Sequence, residues 1–151
     1  MHSKPLEIFY AEDNKTERLL FRLALNDIPI KVNLNAAENG EEAMFLLTAS
    51  EEYLPDMILL DLKMPQKDGI ECLEEIRGNR KFDKTPVLMY TAYEKPEYIQ
   101  KAYELKANLY VQKPFDINMQ AVMLRGLLTK PLQAFFPQPS VEKFVLGFMA
   151  A

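Results

Sequence analysis

The chain has 151 residues, 48% hydrophobic and 26% charged, and its 22 acidic and 18 basic side chains give a formal net charge of -4. That length fits one domain able to bury a core, and that balance is globular rather than disordered. The mild acidity offers no electrostatic footprint for a phosphate backbone and no apolar run approaches the roughly 20 residues that cross a bilayer, so neither nucleic acid nor membrane is an expected partner.

From the N-terminus, Leu6-Glu7-Ile8-Phe9-Tyr10-Ala11 reads as a strand, and Asn14 to Leu25 carries Leu19, Leu20, Leu23 and Ala24 at the spacing of an amphipathic helix. Ile30 to Ala36 alternates as a second strand, and Asn39-Gly40 opens a helix through about Thr48. Met57 to Leu60 is apolar on both faces, as in a central parallel strand covered on each side, and a helix follows from about Gly69 to Gly78. Pro86 to Thr91 is a fourth strand, Pro96 to Lys106 a helix with proline in its first turn, Asn108 to Val111 a fifth strand and Ile117 to Leu128 a last helix. Such strand–helix repeats with short connections predict a doubly wound α/β fold around a five-stranded parallel sheet, because parallel strands need right-handed crossover helices. Lys130 to Ala151 is too short for a second domain, yet Phe135, Phe136, Phe144, Leu146, Phe148 and Met149 make it apolar. It is expected to fold back on the sheet as an extension of the last helix broken at Pro131 or Pro137, or else to contact a second copy or another partner.

Cys72 is the only cysteine, so no internal disulfide can form, and the opening MHSKPLEIFYAED lacks the basic and long apolar regions of a signal peptide. The expected compartment is the cytoplasm. The single histidine, His2, lies at the terminus, which removes histidine general-base chemistry and a histidine-rich zinc site. Carboxylates are left to carry any chemistry.

In open α/β sheets the working site lies beyond the carboxyl ends of the strands. There the first strand runs into Glu12-Asp13-Asn14, the third into Asp61, the fourth ends at Thr91 and the fifth runs into Gln112-Lys113-Pro114. Singly these residues read as helix-capping acids, a β-branched strand residue and a solvated lysine. Together they do not. Two like charges about 4 Å apart repel by about 4 kcal/mol at an effective dielectric near 20, so three clustered carboxylates need a cation or a proton. Oxygen-only ligands with room for water suit Mg²⁺ or Mn²⁺ rather than zinc, and Mg²⁺ usually accompanies phosphoryl groups. Lys113 then serves as counter-charge to phosphate oxygens, Thr91 as a neutral donor, and Asp61 as a nucleophile for phosphorus.

This set resembles the receiver domain of two-component response regulators. Glu12 and Asp13 match its acidic pair, Asp61 its phosphoacceptor, Thr91 its hydroxyl position and Lys113-Pro114-Phe115 its Lys-Pro signature. Tyr110 matches the aromatic switch position, and Met64, Pro65, Asp68 and Gly69 the turn after the phosphoacceptor strand. Covering about residues 5 to 129, the resemblance implies a flavodoxin-like sheet of order 2-1-3-4-5, a receiver over residues 1–129, and 130–151 as an apolar extension. It implies a stand-alone signalling domain rather than an enzyme, phosphorylated on Asp61 by a sensor histidine kinase or phosphotransfer protein. Mg²⁺ or Mn²⁺ would be held by Glu12, Asp13, Asp61 and the backbone carbonyl of Lys63; Thr91 and Tyr110 would switch, and Lys113–Pro114 would be cis. Lys63 and Tyr93, two residues past the phosphoacceptor and the hydroxyl, occupy positions that tune phosphoryl hydrolysis in the family and are large enough to screen the attacking water. Glu12 departs from the commoner Asp-Asp pair but keeps the charge.

The run Ala102 to Tyr110 is similar to regulators that serve phytochrome-type kinases, some of which dimerise, so the output partner is expected to be an effector protein, the kinase, or a second copy. A haloacid dehalogenase phosphatase would need a second aspartate where Lys63 stands, and a flavodoxin a glycine-rich loop where AEDNKTE stands. The remaining alternative is a degenerate receiver that binds partners without phosphorylation. Such domains usually lack one of the acidic, Asp, Thr or Lys positions, and this chain has them all.

Overall fold

Strand and helix alternate along the computed structural model, which describes residues 4–147; His2 and the tail residues Phe148 and Met149 lie outside the described residues. The order is β1 (Leu6–Ala11), α1 (Lys15–Leu25), β2 (Val32–Ala37), α2 (Gly40–Thr48), β3 (Met57–Leu60), α3 (Gly69–Arg77) and, after a short 3₁₀ turn, β4 (Val87–Thr91). Then come α4 (Pro96–Glu104), β5 (Leu109–Gln112), α5 (Ile117–Leu128), a second 3₁₀ turn (Leu132–Phe135), α6 (Val141–Phe144) and β6 (Val145–Leu146). No helix among the described residues is long and apolar enough to cross a membrane.

The strands form one parallel sheet of order β2-β1-β3-β4-β5-β6, a flavodoxin-like doubly wound fold. Every residue of β3 and β4 is buried, which is why those segments are apolar on both faces. One core face packs Phe9, Ile58, Leu60, Leu73, Phe82 and Met89; the other packs Ile8, Tyr10, Phe21, Leu59, Tyr90 and Leu124. Capping side chains start the helices as the sequence suggests: Asn14 accepts from the Glu17 N–H ahead of α1, and Asp68 and Glu71 form a reciprocal capping box at α3.

One expectation is extended and one corrected. Among the described residues the sheet holds the expected five strands in the expected order and a sixth besides, because the tail returns and sets Val145 and Leu146 beside Tyr110 and Val111. Specific bonds hold it there: Asn108 Nδ2 donates to the Phe135 carbonyl at 2.9 Å, Gln138 Nε2 to the Ala107 carbonyl at 2.6 Å, and Tyr103 Oη to the Pro139 carbonyl at 2.9 Å. Phe144, fully buried, lies edge-on to Tyr103 at 4.9 Å between ring centres, with Tyr110 at 6.4 Å. In addition, among the described residues the cis peptide bond is Phe136–Pro137 and not Lys113–Pro114; the long lysine stem reaches Glu12 with a trans peptide behind it.

Candidate functional site

Each strand carries its chemistry to the end of the ladder, and a backbone bond to the neighbouring strand fixes it there. The Glu12 N–H donates to the Ala37 carbonyl at 3.0 Å, that of Asp61 to Ala11 at 2.9 Å, and that of Lys113 to Thr91 at 2.8 Å. The sheet therefore positions these side chains before any side-chain contact is made. A carboxylate oxygen from each of Glu12, Asp13 and Asp61 lies within 4.8 Å of the others. Glu12 and Asp61 are 2% and 6% exposed, whereas Asp13 faces solvent, so the group is closed below and open above.

The Lys113 ammonium donates to Glu12 Oε1 at 2.6 Å and stands 3.7 Å from Glu17 Oε2; among the described residues it forms no ion pair with Asp61. Glu12 also accepts from Tyr10 Oη at 3.3 Å and from the Asn14 N–H at 3.0 Å. Burial opposes ionisation of Glu12, but the charge and hydrogen bond of Lys113 hold its carboxyl below the usual carboxylate range. Asp61 goes the other way. Burial pushes it up and Glu12 adds to that, outweighing Lys113 and the Thr91 hydroxyl, so its carboxyl rises to about 7. Partial desolvation and the Glu12 carboxylate also raise Asp13.

Thr91 is fully buried, and its Oγ1 accepts from the Tyr93 N–H at 3.3 Å. Tyr110 is buried as well and donates from its hydroxyl to the Tyr93 carbonyl at 2.6 Å; burial raises its phenol, which keeps it a neutral donor. The Lys63 side chain is exposed and turns toward α4.

The structure thus brings Glu12, Asp13, Asp61, Thr91 and Lys113 to one edge of the sheet, with Lys63 and Tyr110 on its β4–α4 side. Three contributors were missed from sequence. Tyr10 and Glu17 buttress Glu12 and Lys113, and Tyr98 meets Lys63. Glu17 carried a signal, standing three residues after the capping Asn14, but that spacing also suits an ordinary capping box.

The donor set fits a hard divalent cation: the ligands are all oxygen, three carboxylates face one ammonium hydrogen-bonded to only one of them, and Asp61 is left short of positive charge.

Comparison with known proteins agrees with the geometry. The response regulator receiver domain family matches residues 8–125. Response regulator Rcp1 of Synechocystis sp. is 32% identical over 127 residues, covering 82% of this chain and 86% of Rcp1. Among solved structures, the phosphorylated cyanobacterial phytochrome response regulator RcpA superposes with a TM-score of 0.77 at 28% identity, over 91% of this chain and 98% of RcpA. The Mn²⁺-bound form of Rcp1 superposes with a TM-score of 0.75 at 31% identity, over 90% of this chain and all of that one. A family match over residues 8–125, with relatives at 30% identity or more that it covers almost end to end, settles the family: the chain belongs to the response regulator receiver domains of two-component systems, and is CheY-like.

Proposed function

We propose that this chain accepts a phosphoryl group on Asp61 from a phosphohistidine of a partner histidine kinase or phosphotransfer protein, and passes the change to an effector through the α4–β5–α5 face. The observation that carries the reading is Asp61 itself: a 6% exposed carboxylate, pushed up to about 7, grouped with two more carboxylates and flanked by a buried threonine and a lysine. A carboxylate kept there at a cost to folding is one held for use. The similarity to a phosphorylated RcpA and a Mn²⁺-bound Rcp1 supports the same assignment, and points to a phytochrome-type kinase as the class of donor.

In the transfer an Asp61 oxygen bonds to phosphorus as the P–N bond to the histidine breaks, and that electron pair returns to the imidazole. Glu12, Asp13, Asp61 and the Lys63 backbone carbonyl would hold Mg²⁺ or Mn²⁺, which supplies positive charge against the phosphoryl oxygens. Lys113 sits ready to move from Glu12 onto a phosphoryl oxygen, and the Thr91 hydroxyl to donate to another. When Thr91 turns, the Tyr93 N–H loses its acceptor; Tyr93 also accepts from the Tyr110 hydroxyl, so the switch has a route to β5 and α4. Moving such an equilibrium from 1:99 to 99:1 takes about 5.5 kcal/mol of differential binding, within reach of several charge-assisted hydrogen bonds. A cytoplasmic location and a self-associated output form belong to the same reading.

The test is incubation with Mg²⁺ and acetyl phosphate, read by intact mass. Wild type is expected to gain one phosphoryl group and Asp61→Asn none. Equal labelling of the two would remove Asp61 as acceptor, and no labelling of either would favour a receiver that binds partners without phosphorylation.

A further inference from the structure

Lys113 stands between two carboxylates and uses one of them. Its side chain is 7% exposed; the ammonium donates to Glu12 Oε1 at 2.6 Å and lies 3.7 Å from Glu17 Oε2 on α1. The centres of the Tyr90 and Tyr10 rings are 5.4 and 5.9 Å away, an aromatic shelf beside the cation. Among the described residues Glu12 is its one hydrogen-bond partner, which leaves two of three ammonium donors without a protein acceptor. Glu17 is idle in the matching way: its Oε2 is shielded from solvent and accepts no hydrogen bond among the described residues. Helix capping does not occupy it. Asn14 accepts from the Glu17 N–H at 2.9 Å, and in a capping box the Glu17 carboxylate would accept from the Asn14 N–H in return, but that N–H donates to Glu12 Oε2 at 3.0 Å. A carboxylate oxygen withheld both from water and from any donor is unfavourable, and here it stands one short movement from an ammonium with donors to spare.

Glu12 meanwhile has two demands on it. It holds Lys113, and with Asp13 and Asp61 it is one of the three carboxylates grouped for a divalent cation. Serving the cation weakens its hold on the ammonium, because both draw on the same negative charge. A buried ammonium that loses its anion with nothing in exchange is strongly disfavoured, and this alone would set Lys113 against occupation of the site. We propose that Glu17 is the second berth of Lys113: as Glu12 turns to the cation, the ammonium shifts along the Tyr10 and Tyr90 rings and pairs with Glu17. The shift closes a gap of 3.7 Å to the roughly 2.8 Å of a charge-assisted hydrogen bond. Lys113 keeps a carboxylate partner throughout, and Glu17 gains the donor it lacks. Glu17 is thus a positioning residue for the cation site, acting through Lys113 and not as a ligand. The proposal deepens the function given above and rests on the acidic group as a Mg²⁺ or Mn²⁺ site.

Two measurements on the full chain test this, neither of which needs phosphorylation. The first is Mg²⁺ affinity by titration calorimetry at about 0.15 M salt, where charges that do not touch are largely screened. Glu17→Gln is expected to weaken Mg²⁺ binding about two- to fivefold, the scale of one ion pair near the surface. Lys113→Met should tighten it, since Glu12 is no longer claimed, and adding Glu17→Gln to Lys113→Met should change nothing further, since Glu17 acts only through Lys113. The same weakening by Glu17→Gln with and without Lys113 would overturn the proposal and leave Glu17 a bystanding negative charge. Because Lys113→Met deprives a buried Glu12 of its counter-charge, the second measurement uses the wild-type chain. In NMR spectra, coupling across the hydrogen bond from Lys113 Nζ is expected to the Glu12 carboxyl carbon without Mg²⁺ and to the Glu17 carboxyl carbon when Mg²⁺ is saturating. A Mg²⁺-saturated chain without the Glu17 coupling would overturn the proposal while sparing the cation site, whereas a wild-type chain that binds no Mg²⁺ would take down both.

Discussion

Burial at 6% exposure and the Glu12 charge push the Asp61 carboxyl up to about 7, against about 3.9 for an aspartate in an unfolded chain. Between those values the folded chain binds more protons than the unfolded one, so stability falls as pH rises through that window. Asp13, also raised, acts with the same sign, and Glu12, held low, with the opposite one. In metal-free buffer, urea unfolding is therefore expected to show wild type less stable at pH 7.5 than at pH 5. Asp61→Asn is expected to lose most of that slope and to exceed wild type at pH 7.5, by at most about 4 kcal/mol for three pK units. Mg²⁺ at 100 times its Kd should restore about 2.7 kcal/mol to wild type and clearly less to Asp61→Asn. A variant no more stable than wild type at pH 7.5 would mean that Asp61 is not strained by its place. The conflict behind this was legible in MILLDLKMP, where an acid ends an apolar strand. The partners of Lys63 were not, because a four-carbon stem can lean toward Asp61 or toward α4 with the same sequence spacing.

The β3–α3 loop carries Asp61 and is held by a tight approach at the start of α3. The Gly69 N–H donates to the Leu62 carbonyl at 2.9 Å, and a Cβ at Gly69 would lie 2.1 Å from the Asp61 carbonyl oxygen, which real contacts never show. Gly69→Ala must displace that backbone, so it is expected to lower stability by about 1–3 kcal/mol and to slow acetyl phosphate labelling of Asp61 together. Gly126 in α5 supplies the control. Nothing lies within 4 Å of its Cβ position, and Gly126→Ala should raise stability by about 0.5–1 kcal/mol through helix propensity while leaving labelling unchanged. Equal effects of the two on labelling would show that the approach to Asp61 does not matter. Most elements were legible at this scale, since period and capping residues agree for α1 and α3 and an unbroken apolar run marks β3. The end of α4 was not: its apolar pattern continues to Lys106, but Lys106 turns to φ 70°. What wins there is the next strand, because Asn108 must enter β5 with its side-chain oxygen accepting from the Val87 N–H at 2.8 Å and from Arg77 at 2.7 Å.

Across the whole molecule the tail completes the sheet. Val145-Leu146 is shorter than the strands whose alternation can be read, so the Phe-rich composition told that the tail would be buried somewhere but not that it would pair with β5. Its place beside Tyr110 gives it two roles, closing the β5 edge and packing the aromatic that lies behind the candidate switch. Phe144 is the anchor, fully buried against Tyr103 and near Tyr110. Phe144→Ala is expected to lower stability by about 3–5 kcal/mol, since removal of a buried ring leaves a cavity that a helix bonded to the tail through Tyr103 and Gln138 cannot easily fill. Truncation after Thr129 goes further, because it uncovers the unpaired backbone of β5 as well as the ring of Tyr110, and an exposed parallel edge pairs with other chains. The truncated chain is thus expected to unfold at lower urea and to sediment as heavier, concentration-dependent species, while Phe144→Ala, which keeps the strand in place, should lose stability with little change in mass. If truncation left both mass and stability as in the full chain, the contacts of the tail with Asn108, Tyr103 and Tyr110 would be passive, and the receiver would end in function, as in sequence resemblance, near Thr129.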